Sequence, residues 1–528
     1  MAIKTTACPL DCFDACEIVY ENNLCKPSKT NPITNGTLCK PFAYMIQEEN
    51  IKDKNLEQTL QKVVTVLKQK NKSLLYYKGT GNISALQNIP KIFFEKIKAT
   101  IALGNICEGA GEAGIKLGRE FSVNPPIENL LASEVIVVWG RNLTVTSRHI
   151  YKLVKDKIFI TIDPYSTEIA KKSDEYFAIP PKGDYQLIKQ LMNYLINKEL
   201  DENILRQLNT SKEQIHRTIN LLKNNKVSFL MGLGAQKYKE GAQVIHYLEI
   251  FAKNFKVFGK KNEGMWYLGD SKYQYDDKIS VTVTNSTPYP SVDFGLYDIV
   301  FIQGANPVVS APNTQKVIDG LKKAFVIYMG TTYNDTCKYA NIIIPAKTFL
   351  QKKDVRTSYG HDEVVFTDIC EETTQAISEY DFTKYLFDSF SLNGLLTQDE
   401  YLKGFSKILR EKPDVNFKEH KIDNINFIKK ETNEFYLLSS KYVNTINSQF
   451  KYDNYAYIHP INKYKNEDKI TIKSKYGIVS VKVKLDENIR QDCILMYAGN
   501  KYANYLTPDG FSDMGCNAIF QDVVVTIV

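Results

Sequence analysis

Long apolar runs are missing from this 528-residue chain. The longest, such as EVIVVWG and NIIIPA, fall far short of the roughly 18 residues that a membrane-spanning helix needs. The amino terminus, MAIKTTACPLDC, lacks a basic leader, an apolar core and a twin arginine ahead of Cys8. That argues against a secretory or transit segment and makes the cytoplasm the expected compartment. A strong charge of one sign is lacking too: 67 Lys and Arg stand against 60 Asp and Glu, a net +7 spread over the whole chain. Charge therefore gives no argument for nucleic acid or an anionic membrane surface as a partner. Ten cysteines in a cytosolic chain also do not read as a disulfide framework.

What is present begins with the distribution of those cysteines. Five of the ten (Cys8, Cys12, Cys16, Cys25 and Cys39) lie in the first 39 residues. Cys8, Cys12 and Cys16 form C-x3-C-x3-C, and Cys39 follows after 22 residues. Four thiolates can cap the four irons of a cubane cluster, and soft sulfur ligands suit iron–sulfur chemistry. The alternative is zinc, but zinc sites usually show two C-x2-4-C pairs, so a three-plus-one set favours the cluster. Cys25 has no partner spacing and reads as a small buried hydrophobe. Pro9 and the LDCFD stretch supply turn chemistry that keeps the loop from becoming helix.

A repeat lies in the middle of the chain. Residues 134–180 and 298–345, about 165 residues apart, look alike. Each starts with an acidic residue and an apolar run, then a turn carrying Gly and Asn: Gly140 and Asn142 in the first, Gly304 and Asn306 in the second. An amphipathic stretch, a second apolar run and an apolar exit ending in Pro180 or Pro345 complete each copy. Short buried-strand patterns alternating with helical ones predict βαβ units of a parallel sheet. A Gly-rich turn after such a strand brings backbone N–H groups to a phosphate. Neither copy carries G-x-G-x-x-G, which disfavours an ordinary nicotinamide domain. Two dinucleotide-like ligands in pseudo-symmetric halves are expected; a duplicated α/β fold without ligand is the plain alternative.

The CPxDCxxxC opening resembles that of the molybdopterin-dependent oxidoreductases of the dimethyl sulfoxide reductase superfamily, and further segments agree in order along the chain. Asp163, Thr167 and Asp184 match the superfamily's IDPRxT…PGxD pattern, with Tyr165 replacing the usual Arg. The resemblance implies that these acids hold guanine. The Gly140–Asn142 and Gly304–Asn306 loops are similar to its GxNP turns, and FLMGLGAQKYKEG places Gly234 and Gln236 on a cofactor. TTYNDTCKYANIIIP offers Thr336 as a further contact. Cys107, in GNICEGAGEAG, is similar to the segment whose Cys or selenocysteine binds the metal, and a soft thiolate suits Mo or W. Where formate dehydrogenases carry His, Glu108 stands here; it is a candidate acid/base or a helix cap. His361 in TSYGHDEV is a candidate donor to substrate. Lys40 follows the fourth cysteine, one residue before the Lys that the superfamily places between cluster and pterin.

From Glu431 the pattern changes to short alternating strands, with Gly477 marking a hairpin turn, which suggests a small β-barrel. This block resembles the superfamily's dinucleotide-binding domain, and Asn447, Gln449 and Asn504 are its candidate contacts. The resemblance implies an α/β fold of four parts. These are a [4Fe-4S] domain (1–49), an α/β molybdopterin domain in two pieces (50–130 and 286–430), a second, interleaved α/β dinucleotide-binding domain (131–285) and a C-terminal six-stranded-type barrel (431–528). It further implies a bis-molybdopterin guanine dinucleotide enzyme with Mo or W held by Cys107. Its electrons would pass between a small substrate and the cluster held by Cys8, Cys12, Cys16 and Cys39, and on to a ferredoxin-like or iron–sulfur partner. Two alternatives stand beside this reading: a metal-free scaffold or electron-conduit subunit, and a non-redox Mo or W enzyme such as a hydratase.

Overall fold

Strands Glu17–Glu21 and Leu24–Pro27 are joined by the two-residue turn Asn22-Asn23. Both turn residues have positive φ, +52° and +61°, and Asn tolerates this conformation better than most residues do. Strand Lys4–Ala7 pairs antiparallel on the other side of Glu17–Glu21, giving the amino-terminal lobe a three-stranded sheet. The computed structural model describes residues 3–120, 122–258, 264–267, 281–405 and 415–528.

Two parallel sheets form the centre. One has five strands and includes Val135–Trp139, Ile158–Ile162, Glu175–Phe177 and Val227–Met231. The other has six and draws on both sides of the chain around the first: Leu74–Lys78 and Thr100–Leu103, then Ile299–Gln303, Phe325–Gly330 and Ile342–Pro345. Val135–Trp139 and Ile299–Gln303 are buried at every residue. A strand covered by helices on both faces reads as an unbroken apolar run.

The repeat seen in the sequence is a repeat of backbone geometry. Val135–Trp139 pairs in parallel with Ile158–Ile162, and that strand with Glu175–Phe177. Likewise Ile299–Gln303 pairs with Phe325–Gly330, and that with Ile342–Pro345. Each first strand runs into its Gly and Asn and then a short helix, Leu143–Thr146 or Pro307–Ser310. Asn142 and Asn306 begin these turns alike, accepting at their carbonyls from Thr146 N (2.9 Å) and Ser310 N (2.8 Å).

The carboxyl-terminal block closes into a six-stranded barrel. Its long strand, Ile478–Leu485, alternates exposed and buried residues, the pattern of a half-buried strand. The chain enters the hairpin at Ser474, whose N–H donates to Gly477 O at 2.9 Å. No helix among the described residues is long and apolar enough to cross a membrane.

Candidate cofactor site

Two cavities meet at Cys107. The first, of about 150 Å³, is lined by Gly140, Asn142, Asp163, Asp184 and Gly234, by Lys237, and by Ser439, Ser440 and Lys441 of the carboxyl-terminal block. The second, of about 410 Å³, is lined by Gly304 and Asn306, by Lys78, Gly79 and Gly81, and by Asn447 and Gln449. Cys107 and Asp11 line both, while Glu108 lines the first. Each cavity thus lies outside the carboxyl ends of parallel strands, where open α/β sheets bind ligands.

The loop bearing Cys107 is fixed from several directions. Asn105 Oδ1 accepts from Cys107 N (3.1 Å) and Gly109 N (2.9 Å), setting the start of helix Gly109–Arg119. The Tyr267 hydroxyl donates to Glu108 O at 2.8 Å. Gln236 accepts from Gly111 N and donates to the Tyr267 hydroxyl. Burial, and then the adjacent Glu108 carboxylate, push the Cys107 thiol well above its ordinary range. Burial likewise pushes Glu108 up to about 7. A thiol that burial and neighbouring carboxylates keep protonated is one that a cation placed beside it would ionise, so this residue fits a metal ligand.

Asp11, between Cys8 and Cys12, stands at the junction of the cavities, although in the sequence it reads only as a turn residue. Its carboxylate accepts from Asn447 Nδ2 (2.9 Å), Thr80 Oγ1 (3.2 Å) and the Tyr359 hydroxyl. Burial works to raise its pKa, but Lys441, Tyr359 and Asn447 outweigh burial and hold it below the usual carboxylate range. An ionised carboxylate therefore faces Cys107. The only signal in the sequence was its place inside the cysteine motif.

In the first cavity, burial pushes Asp163 up to about 7 and Asp184 up to about 6. Asp163 Oδ1 accepts from Tyr165 N (2.9 Å), and Asp184 Oδ1 from Trp139 Nε1 (2.7 Å). Gln521 Oε1 is buried there with no partner. Buried acceptors lacking a cation fit the N–H groups of a purine edge. Burial also pushes Lys237 in the first cavity and Lys78 in the second down to about 8, which suits each to a buried anion such as a phosphate.

Cys8, Cys12, Cys16 and Cys39 line one further cavity, on the far side of the Asp11–Asp14 loop, with Arg148, His149 and Ile446. Burial raises the first three thiols, and mutual repulsion among the cysteines adds to it. The loop is held from outside by Arg356, for which the sequence carries no local signal. Its guanidinium donates to Cys8 O (3.2 Å), Leu10 O (3.0 Å) and Cys12 O (3.2 Å).

Several candidates stand elsewhere. His361 is buried, donates from Nε2 to Asp14 O (3.0 Å) and accepts at Nδ1 from Glu363 N (3.3 Å), so it braces the cysteine loop rather than lining either cavity. Lys40 is exposed at the start of helix Lys40–Met45 and lines neither cavity. Thr167 turns inward to accept from Ala170 N (3.2 Å). Gln236, as above, supports the Cys107 helix from behind. Thr336 donates to Asn306 Oδ1 (2.9 Å) and Asn504 to Val309 O (2.6 Å), both securing the second Gly–Asn turn from outside.

Two α/β halves whose strand-end turns line two cavities that share the half-buried Cys107, closed by a barrel, define the class of α/β protein that holds a dinucleotide-like cofactor at its strand ends. The sequence matches the molybdopterin oxidoreductase family over residues 50–388 and the molybdopterin dinucleotide binding domain over residues 432–524. The chain belongs to the molybdopterin oxidoreductases of the dimethyl sulfoxide reductase superfamily and is an enzyme that binds molybdopterin. It is 24% identical over 432 residues to "Probable oxidoreductase YyaE" of Bacillus subtilis (strain 168), the match covering 68% of this chain and 64% of that one. It thus spans a little under two thirds of that relative's length. It is 20% identical over 485 residues to the F420-dependent formate dehydrogenase subunit alpha of Methanocaldococcus jannaschii, covering 76% of this chain and 72% of that one. Among solved structures, acetylene hydratase from Pelobacter acetylenicus shares the fold over 99% of both chains, with a TM-score of 0.70 at 12% identity.

Proposed function

We propose that this enzyme carries two molybdopterin guanine dinucleotides, a molybdenum or tungsten ion and a [4Fe-4S] cluster, and passes electrons between a small substrate and the cluster. The observation that carries the reading is the convergence of both cavities on Cys107, with Asp11 of the cysteine loop standing in each. When bound, the metal supplies the redox chemistry.

The chain's own part is to bind and orient. Gly140, Asn142, Asp163, Asp184 and Gly234 hold one dinucleotide; Gly304, Asn306, Asn447 and Gln449 hold the other. Cys107 is the protein ligand to the metal. Asp11, fixed by its three donors, keeps a negative charge at the junction and orients a substrate dipole there. Among the described residues no three His, Cys, Asp or Glu side chains converge on a point that would hold one metal ion. The four amino-terminal cysteines line one small cavity, of about 10 Å³; it is their three-plus-one spacing in the sequence that favours a cluster of several irons, each capped by one thiolate, over a single zinc. A cluster held by these four cysteines would supply one-electron transfer, and a ferredoxin-like or iron–sulfur partner in the cytoplasm would take the electrons.

Elemental and pterin analysis of purified protein, with EPR on reduction, tests the reading. About four irons per chain, together with Mo or W and guanine nucleotide, is the expected result. Iron without Mo, W or pterin, from a host that makes them, would overturn it in favour of a metal-free electron conduit.

A further inference from the structure

Arg141 is buried, at 4% exposure, in the turn between Gly140 and Asn142, and it lines the first cavity. Its guanidinium lies over the ring of Phe13, 4.6 Å from the centroid, and Phe13 follows Cys12 in the chain. Nη2 donates to Ser147 Oγ (2.7 Å) and Nη1 to Met231 O (3.4 Å), both neutral acceptors, while the Nε–H is buried with no partner at all. The charges that act on it are those of Asp14 and Cys12, on the cysteine side of the loop. Asp14 is itself occupied, accepting from His149 N (3.0 Å) and Ile150 N (3.5 Å). A buried guanidinium with no carboxylate bonded to it is costly unless other negative charge faces it. On one side that charge is Asp14, then Cys12 of the four-cysteine cage; the other side opens into the first cavity.

We propose that Arg141 is a fixed cation that couples the cysteine cage to the first dinucleotide cavity, adding to the charge of Arg148 and Arg356 beside the cage, raising the cluster's reduction potential and leaving its Nε–H as a donor for a cofactor. The inference rests on the cluster reading above. Adding an electron makes the cage more negative, so a positive charge held beside it in a poorly screened interior favours the reduced form. Lys40, next to Cys39 in sequence but exposed to solvent, is screened and contributes little.

The test is an EPR-monitored redox titration of the purified holoenzyme and its variants. In Arg141→Gln the cluster midpoint moves to more negative potential; in Arg141→Lys, which keeps a charge there, it returns at least half of the way; in Lys40→Gln it stays at the wild-type value. Should Arg141→Gln fail to fold, Arg141→Met, which also removes the charge while keeping an apolar side chain over Phe13, carries the same test, and its midpoint also falls. An unmoved midpoint in Arg141→Gln with full iron content, or in Arg141→Met where that variant stands in, overturns the proposal. So does a Lys40→Gln shift as large as that of Arg141→Gln. Absence of any cluster signal from the wild-type enzyme would instead strike the cluster reading itself, and the proposal with it.

Discussion

Gly140 and Gly304 are equivalent residues of the two halves. Each closes a central parallel strand, each has a left-handed φ (+59° and +54°), and each donates its N–H at 2.8 Å to the neighbouring strand, at Ile162 O and Met329 O. The two turns have therefore kept one backbone conformation while their side chains diverged, as expected where the backbone itself meets the ligand.

The same pair gives an unequal mutational response. A Cβ at Gly140 would lie 2.7 Å from Ala235 N, a backbone atom, whereas at Gly304 it first meets the Gln87 side-chain amide at 3.2 Å. Both alanines bear the left-handed cost of about 1 kcal/mol, but only Gly140→Ala adds a clash that nothing flexible relieves. Gly140→Ala should lower stability by about 2 kcal/mol or more and Gly304→Ala by about 1 kcal/mol. Urea midpoints measure the difference; equal midpoints would contradict the packing argument.

Arg356 ties the cysteine loop to the strand Asp354–Thr357 through three carbonyls. Arg356→Met removes the donors and leaves those carbonyls short of partners, at about 1–3 kcal/mol for each that stays buried and unpaired. The expected result is a protein that melts several degrees lower and is purified with less than half of the wild-type iron. Arg356→Lys, with one donor group in place of a planar fork, recovers only part of each. Wild-type iron content in Arg356→Met would show that the loop holds its shape unaided.

The contrast between Arg356 and Gly140 indicates which parts of the molecule are legible in its sequence. Buried parallel strands are continuous apolar runs and their turns need Gly at fixed places, so local pattern exposes the sheets and Gly140, Gly304, Asn142 and Asn306. The cysteine spacing is local too. Arg356, Asp11 and Tyr359 act through contacts between segments far apart in the chain, which no periodicity records. Thr336, Gln236 and Asn504 sit in motif-like stretches, yet packing turns their side chains onto the supporting layer behind the turns. Lys40 begins a helix with Pro41 in its first turn and is left in solvent. His361 has both ring nitrogens engaged within the fold, and only the folded chain reveals Asp14 O as one of its partners.

Cys107→Ser tests the metal ligand. The substitution is nearly isosteric, and the loop's shape is set by Asn105 and Tyr267 rather than by the thiol, so stability should change by less than about 1 kcal/mol. A hydroxyl is a much poorer soft-metal ligand than a thiolate. Turnover should fall at least ~100-fold while the iron content and cluster EPR signal remain. Unchanged turnover would remove Cys107 from the metal site.

Asp163 predicts how the cofactor-free chain responds to pH. Burial raises its folded-state pKa from 3.8 to about 7, so between these values the native state binds more protons than the unfolded chain. Stability from this group is then present below about pH 4 and is lost as pH rises toward 7. Its slope is at most about 1.4 kcal/mol per pH unit, the limit for one proton. Asp184, raised to about 6, adds a smaller loss in the lower part of the same window. Asp163→Asn keeps the shape but removes the titration, so the melting temperature of the cofactor-free variant should fall less steeply over this range than that of the wild type. Combining it with Asp184→Asn should flatten the profile further. Guanine donors favour the ionised carboxylates, so the loaded enzyme should show the shallower profile even with both aspartates in place. Parallel profiles for wild type and Asp163→Asn would mean that Asp163 is ionised before any cofactor arrives.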